Sequence, residues 1–300
     1  MDRRKETITR GLDLRNSRGV EMGPLHAPIV KKSDGHIIYV DHADTDTILE
    51  KYKNNPEVDP AKIVKIDAVW GKHDLKETVG TTVDYIIASH VVEHVPNLIG
   101  WLNELADALT DTGQIRLAVP DKRYTLDLYR RLTSLADVMA AYVQNTKRPL
   151  PAQIIDHHLY ARDLNFREIW NGTVAAFEAP GPLQLKNALQ LAEESFAQGI
   201  YNDVHCWVFT PASFANLMQD LSRLGLVKLK CTGFTATAYE DLEFFVALGK
   251  TDDREEAVRS WVLAEEEGAK QPVEPPKPAQ KSLASRLWRR IRPKRRRERH

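Results

Sequence analysis

The stretch VDYIIASHVVEHVPNLIGWLNELADALTDTGQIRLAVPDKRY, residues 83–124, decides the fold. It opens with a short apolar, β-branched run (VDYIIAS, 83–89) that reads as a buried strand, and it closes with another (GQIRLAVP, 113–120). Between them Leu98, Trp101, Leu102, Leu105 and Leu109 share one helical face, and Gly113 stands where a C-terminal cap would stop the helix. Strand, helix, strand is a βαβ unit, and such units build a parallel sheet.

Working outward, HIIYVD (36–41) and AKIVKID (61–67) repeat the strand pattern, each ending at an aspartate, and RGVEM (18–22) supplies a first strand. After Pro120 the alternation stops. Residues 121–205 carry helical patterns instead: RYTLDLYRRLTSLADVMAAYVQN, PAQIIDHHLYARDL and PLQLKNALQLAEESFAQG. A helix at 211–224 then leads to strands near 226–232 and at 242–249, which read as a hairpin-like sheet edge. The expected architecture is α/β: a doubly wound, mostly parallel sheet in a domain spanning 1–250, with a helical insertion at 121–205. DDREEAVRSWVLAEEEGAK can hold a helix, but QPVEPPKPAQK cannot, so 251–280 reads as a charged, Pro-rich linker. In 281–300 Leu283, Leu287, Trp288 and Ile291 form a helical stripe among arginines, a basic amphipathic tail suited to an anionic membrane surface.

Composition narrows the class. With 42% hydrophobic and 28% charged residues, the chain is neither disordered nor collagenous. Two cysteines, Cys206 and Cys231, are too few for a disulfide framework or a cysteine-based zinc site. No run reaches the ~18 apolar residues of a membrane span, and MDRRKETITR lacks an apolar signal core, so a cytoplasmic location is expected. The net charge of zero conceals a segregation. Residues 281–300 hold ten Lys/Arg against one acid, leaving 32 basic and 41 acidic residues in the rest. An acidic body argues against a nucleic-acid partner.

Ligands of open α/β sheets bind outside the carboxyl ends of the strands. Glu21 and Gly23 follow the first strand, and Gly23 lets backbone approach a ligand closely. Asp41 ends the second strand twenty residues after Glu21, placed to accept both hydroxyls of a ribose. Asp67 ends the third, able to take an exocyclic amine, and Ser89-His90 ends the fourth. Together they make a nucleoside pocket. Each Asp has a plainer reading as a cap on the helix that follows.

These residues resemble the class I S-adenosylmethionine-dependent methyltransferases over about 18–120 and again over 205–249. The likeness rests on GVEMGP, YVDHAD, VDYIIASHVVEHVPN, GQIRLAVPDKRY and HCWVFTPASFANLMQDLSRLGL. The segments SHVVEHVPNLIGWL and VPDKRYTLD look more narrowly like a bacterial subgroup of methyltransferase-domain proteins, type 11-like. The resemblance implies a Rossmann-like fold and S-adenosylmethionine as cofactor. It places Glu21 and Gly23 at the methionine side, Asp41 at the ribose, Asp67 at the adenine edge, and Ser89 or His90 on the inner wall. Where the family carries several glycines, this chain has EMGPLHAP, with one glycine and two prolines. That departure supports an alternative reading, a non-catalytic binding or scaffold protein that keeps the fold.

Methyl transfer is chiefly a matter of positioning, and an oxygen acceptor also needs a base. His90, Asp121 and His157 are the catalytic candidates, with His205 as a further one and Arg123, Arg130 and Arg131 as possible anion clamps. The expected acceptor is a small molecule or saccharide, with a lipid-linked glycan precursor implied if the tail lies on a membrane. His90-Val-Val-Glu93-His94 also fits H-x-x-E-H, a zinc-hydrolase pattern. That pattern needs a helix, and Pro96 follows too soon for one. No metal site is expected, and Glu93 and His94 read as capping the loop beside the cofactor.

Overall fold

A computed structural model describes residues 3–273. In chain order its elements are α1 (Arg3–Ile8), β1 (Arg18–Met22), β2 (His36–Asp41), α2 (Thr45–Tyr52), β3 (Ala68–Val69), α3 (Leu75–Val79), β4 (Val83–Ser89), α4 (Leu98–Ala108) and β5 (Leu109–Pro120). The helices α5 (Leu135–Val143), α6 (Pro151–Tyr160), α7 (Phe166–Trp170) and α8 (Pro182–Gln198) fill the insertion. Then come α9 (Pro211–Arg223), β6 (Leu229–Thr235), β7 (Glu243–Lys250) and α10 (Arg254–Gly268). Basic residues 281–300 lie outside the described residues.

The seven strands form one sheet in the order β3-β2-β1-β4-β5-β7-β6. β1 pairs in parallel with β2 and β4, and β4 with β5, while β7 runs antiparallel to both neighbours. The chain leaves β1 toward one edge and returns at β4 toward the other, so the switch point lies between β1 and β4.

Alternation along each strand sorts the side chains onto two faces. Val20, Met22, Val40, Ile86, Ala88, Ile115, Leu117, Phe244 and Val246 share one core with Leu98, Trp101, Leu102 and Leu105 of α4, Phe214 of α9 and Trp261 of α10. On the other face Ile37, Tyr39, Tyr85 and Ile87 pack under Ile8 of α1 and under Ile29 and Val30. That second cover is mostly loop. The order of burial, at about 25 cal/mol per Å² of apolar surface, makes the first core the larger contributor to stability.

Three expectations change. Helix α4, capped by Asn97 accepting from Gly100 N–H at 3.0 Å, ends at Ala108. Leu109 already pairs with Val83, so Gly113 lies inside β5 and caps nothing. The third strand is only Ala68–Val69, so Asp67 precedes it instead of ending it. Finally, α10 packs onto the body within 251–280: Ala257, Trp261 and Ala264 are buried, and the Trp261 indole donates to Leu229 O at 2.9 Å. In the insertion only a single 3-10 turn, Lys122–Tyr124, precedes the first α-helix, which begins at Leu135 where Ser134 and Asp137 form a capping box. Among the described residues no helix is long and apolar enough to cross a membrane.

Candidate functional site

The carboxyl edge of the sheet at the switch point is bounded by the loops after β1, β2 and β4, the place where open α/β sheets take ligands in a crevice. Gly23 follows β1 with φ +63°, and His90 follows β4 with φ +53°. A Cβ on Gly23 would sit 3.3 Å from the Val91 side chain in a conformation L side chains rarely adopt. The missing Cβ leaves the β1 edge open to a ligand. Asp41 ends β2 on the same edge. Its Oδ1 meets both the backbone N–H of His42 at 2.7 Å and the His42 ring Nδ1 at 2.5 Å, which leaves Oδ2 as the acceptor for ribose-type hydroxyls. His90 stands at the end of β4, while Ser89 has the parity of Tyr85 and Ile87 and is bonded by Arg4 of α1. Gly23, Asp41 and His90 therefore fit the cofactor that the sequence implies.

Glu21 and Asp67 do not face this crevice. Glu21 is the penultimate residue of β1 and points to the loop-covered face, the opposite parity from Val20 and Met22. It is 2% exposed, and its carboxylate accepts from Ile29 N–H at 2.6 Å and Val30 N–H at 2.9 Å. Burial pushes its carboxyl up to about 7, against the pull of those amides. It stitches the loop after β1. Asp67 accepts from Tyr39 N–H at 2.8 Å and pairs with Lys32 at 2.5 Å, beside the middle of β2. It too is spent on architecture.

Of the catalytic candidates, Asp121 is fully buried. It accepts from the Arg123 guanidinium at 2.6 Å and from the Thr237 hydroxyl at 2.7 Å, which leaves it poorly placed as a base. His157 is pushed down to about 3 by burial, with Arg130 and His205 close by, and its Nδ1 accepts from His205 N–H at 3.3 Å. A base so weak takes few protons near neutrality. His90 Nε2 bonds Glu243 at 2.8 Å, and Arg4 bonds both Glu243, at 2.6 Å, and Ser89. Burial alone would raise the Glu243 carboxyl, but hydrogen bonds from His90 and Arg4 outweigh it and hold it at about 2. Helix α1 is thereby tied across the ends of β4 and β7.

On the acceptor side the fold gathers groups that sequence separates widely. The Glu93 backbone carbonyl accepts from Cys206 N–H at 2.6 Å and Trp207 N–H at 3.2 Å, which lays the end of the insertion over the turn after β4. His94 Nδ1 then meets Asp203 at 2.9 Å, which also pairs with Lys51 at 2.9 Å. His205 Nδ1 meets Asp127 at 2.6 Å. Arg130, 3% exposed, braces the cluster through Asp127 at 2.8 Å, Asp156 at 2.8 Å and the His205 carbonyl at 2.9 Å. Burial alone would lower His94, but Asp203 and Glu93 outweigh it and raise it above its ordinary value. The Glu93 carboxylate caps no backbone group, since the helix cap is Asn97. Beside the end of β5, Tyr124 and Trp170 stack at 3.9 Å with 4° between planes, and Tyr239 lies 5.2 Å from Trp170.

The seven-stranded sheet with its switch point between β1 and β4 is an open, doubly wound α/β fold, which takes ligands at that edge. Residues 33–221 match the family model described as a methyltransferase domain, and the chain belongs to that family. Its cofactor is S-adenosylmethionine. Among solved structures, a protein from Rhodobacter sphaeroides assigned as a Zn-dependent alcohol dehydrogenase overlaps with TM-score 0.45 and 10% identity, covering 84% of this chain and 90% of that one. An S-adenosylmethionine dependent methyltransferase from Listeria monocytogenes overlaps with TM-score 0.40 and 8% identity, covering 82% and 97%. Magnesium protoporphyrin IX methyltransferase from Synechocystis PCC 6803, solved with bound SAH, overlaps with TM-score 0.37 and 10% identity, covering 83% and 84%. These likenesses are loose, and the family match stands without them. No curated protein matches the chain.

Proposed function

We propose that the protein transfers a methyl group from S-adenosylmethionine to a small-molecule or saccharide acceptor. The cofactor supplies an electrophilic methyl group, and the chain's own residues do the positioning. Asp41 would hold the ribose, Gly23 would admit the donor at β1, and His90, fixed by Glu243, would bound the methyl end. The observation that carries the acceptor class is the stacked Tyr124–Trp170 pair at the end of β5. An aromatic face beside a few convergent polar groups suits a small ring-shaped ligand.

The basic segment 281–300 supports a finer reading, in which the acceptor is a lipid-linked glycan precursor met at an anionic inner membrane surface. The test is transfer of isotopic methyl from S-adenosylmethionine to a panel of saccharides and lipid-linked saccharides. Label should enter the saccharide and fall about 5-fold or more with Trp170→Ala, as expected for a lost aromatic contact of order 1 kcal/mol or more. No label in any saccharide, or label unchanged by Trp170→Ala, would remove the saccharide reading. Deleting 281–300 without changing partition onto anionic vesicles would remove its membrane part.

A further inference from the structure

The side chain of Glu93 lacks what a buried carboxylate ordinarily has. The residue is 1% exposed and neither oxygen has a hydrogen-bond partner. Such a group is costly unless it is paired, protonated or bound to a metal. Imidazoles surround it instead of amides. His94 Nε2 lies 4.0 Å from Oε1 and His90 Nδ1 lies 3.8 Å away, while the His94 and His205 rings meet edge-to-face at 4.7 Å. One ligand atom each from Glu93, His94 and His205 falls within 4.8 Å of the others.

We infer that Glu93, His94 and His205 form a binding site for a divalent first-row transition metal, with Zn²⁺ as the fitting case. The donor set is two imidazoles and one carboxylate, which zinc accepts while keeping a position open. Donors each about 2.1 Å from one tetrahedral ion lie roughly 3.4 Å apart. From the unoccupied arrangement the 4.0 Å pair has to close by about 0.6 Å and a pair at the 4.8 Å limit by about 1.4 Å, within reach of small side-chain rotations. The strongest support is behind the ligands. Asp203 takes the Nδ1 of His94 and Asp127 takes the Nδ1 of His205, which leaves each Nε2 as the free ligand nitrogen. A carboxylate behind a ligating imidazole is the usual way such rings are oriented. His90 Nδ1 also lies 3.8 Å from Glu93, but His90 does not share the arrangement in which the Glu93, His94 and His205 ligand atoms all fall within 4.8 Å of one another. The zinc-hydrolase spacing is not what assembles the site: residues 92–94 are a turn, and the third ligand comes from the end of the insertion. A fourth position left open by the three protein ligands would take water or an acceptor oxygen. That last clause rests on the methyl-transfer reading, and the site itself does not.

The test is calorimetric titration of untagged, chelator-stripped full-length protein with Zn²⁺. One equivalent should bind with micromolar or tighter affinity. Losing a carboxylate behind a ligating histidine costs roughly 10–100-fold, so Asp127→Asn should fall in that range and Glu93→Gln and His205→Ala at or beyond its upper end. Glu93→Gln is the control for folding: its melting temperature in chelator should equal or exceed that of wild type, and Zn²⁺ should raise only the wild-type value. No binding by wild type, or binding unchanged in Glu93→Gln and His205→Ala, overturns the site. S-adenosylmethionine titrated into the same stripped protein reads the cofactor crevice separately, so failure of one assignment leaves the other standing.

Discussion

The two sides of the crevice use acidic residues in opposite ways. On the β1–β2 side, Glu21 and Asp67 are satisfied by nearby backbone amides and by Lys32, and Asp41, engaged by His42 through Oδ1 alone, keeps Oδ2 for a ligand. On the β4 side, Asp127 and Asp203 orient imidazoles brought from more than 70 residues away, around a carboxylate with no partner. A carboxylate near a strand end is therefore weak evidence of a site when main-chain donors lie within reach. It is stronger evidence when the fold spends a long insertion to reach it.

Substitutions can break this contrast, beginning with the largest effect. Arg130→Ala leaves Asp127 and Asp156 without their buried cation, and should cost about 3–5 kcal/mol of stability in urea denaturation. A loss under about 1 kcal/mol would mean that the acceptor side is not braced as described. Glu21→Gln tests the other side through pH. The folded pKa of about 7 lies above the ordinary 4.5, so the stability Glu21 lends is full below about pH 4.5 and is lost as pH climbs through 7. From pH 4.5 to 8 wild type should lose up to about 3 kcal/mol relative to Glu21→Gln, while S-adenosylmethionine affinity stays within about twofold. An affinity drop of ~100-fold, worth about 2.7 kcal/mol, would return Glu21 to the cofactor site. The smallest effect is Arg4→Ala. Its side chain is 35% exposed and His90 still partners Glu243, so about 1 kcal/mol is expected at pH 7 by thermal melting.

The sheet was legible because β-branched runs at 36–41, 83–89 and 113–120 left little alternative, and the crevice followed from where those runs stop. Glu21 was misplaced by reading strand ends without strand parity: in a strand through 18–22 it must point opposite to Val20 and Met22. Asp67 was misplaced because 61–67 has strand composition, yet only Ala68 and Val69 pair with β2. Ala257, Trp261 and Ala264 do carry a helical period that could have extended the body past 250. Glu93 and His94 stood out through the H-x-x-E-H spacing and His205 as a candidate base, but nothing in the sequence joined the three into one cluster. Its members are joined by contacts such as His94–Asp203, 109 residues apart in sequence, and by helices whose pattern does not say where they fold back.

The central claim is that the switch-point crevice holds S-adenosylmethionine through Asp41. Calorimetric titration of S-adenosylmethionine and S-adenosylhomocysteine into wild type and Asp41→Ala tests it directly. The account predicts micromolar binding of both ligands to wild type. It predicts a loss of ~100-fold or more in the variant, from two hydrogen bonds to a charged group at about 1.5 kcal/mol or more each, with melting temperature unchanged. A folded wild-type protein that binds neither ligand, or a variant that binds as wild type does, would contradict it and favour a scaffold that keeps the fold without the chemistry.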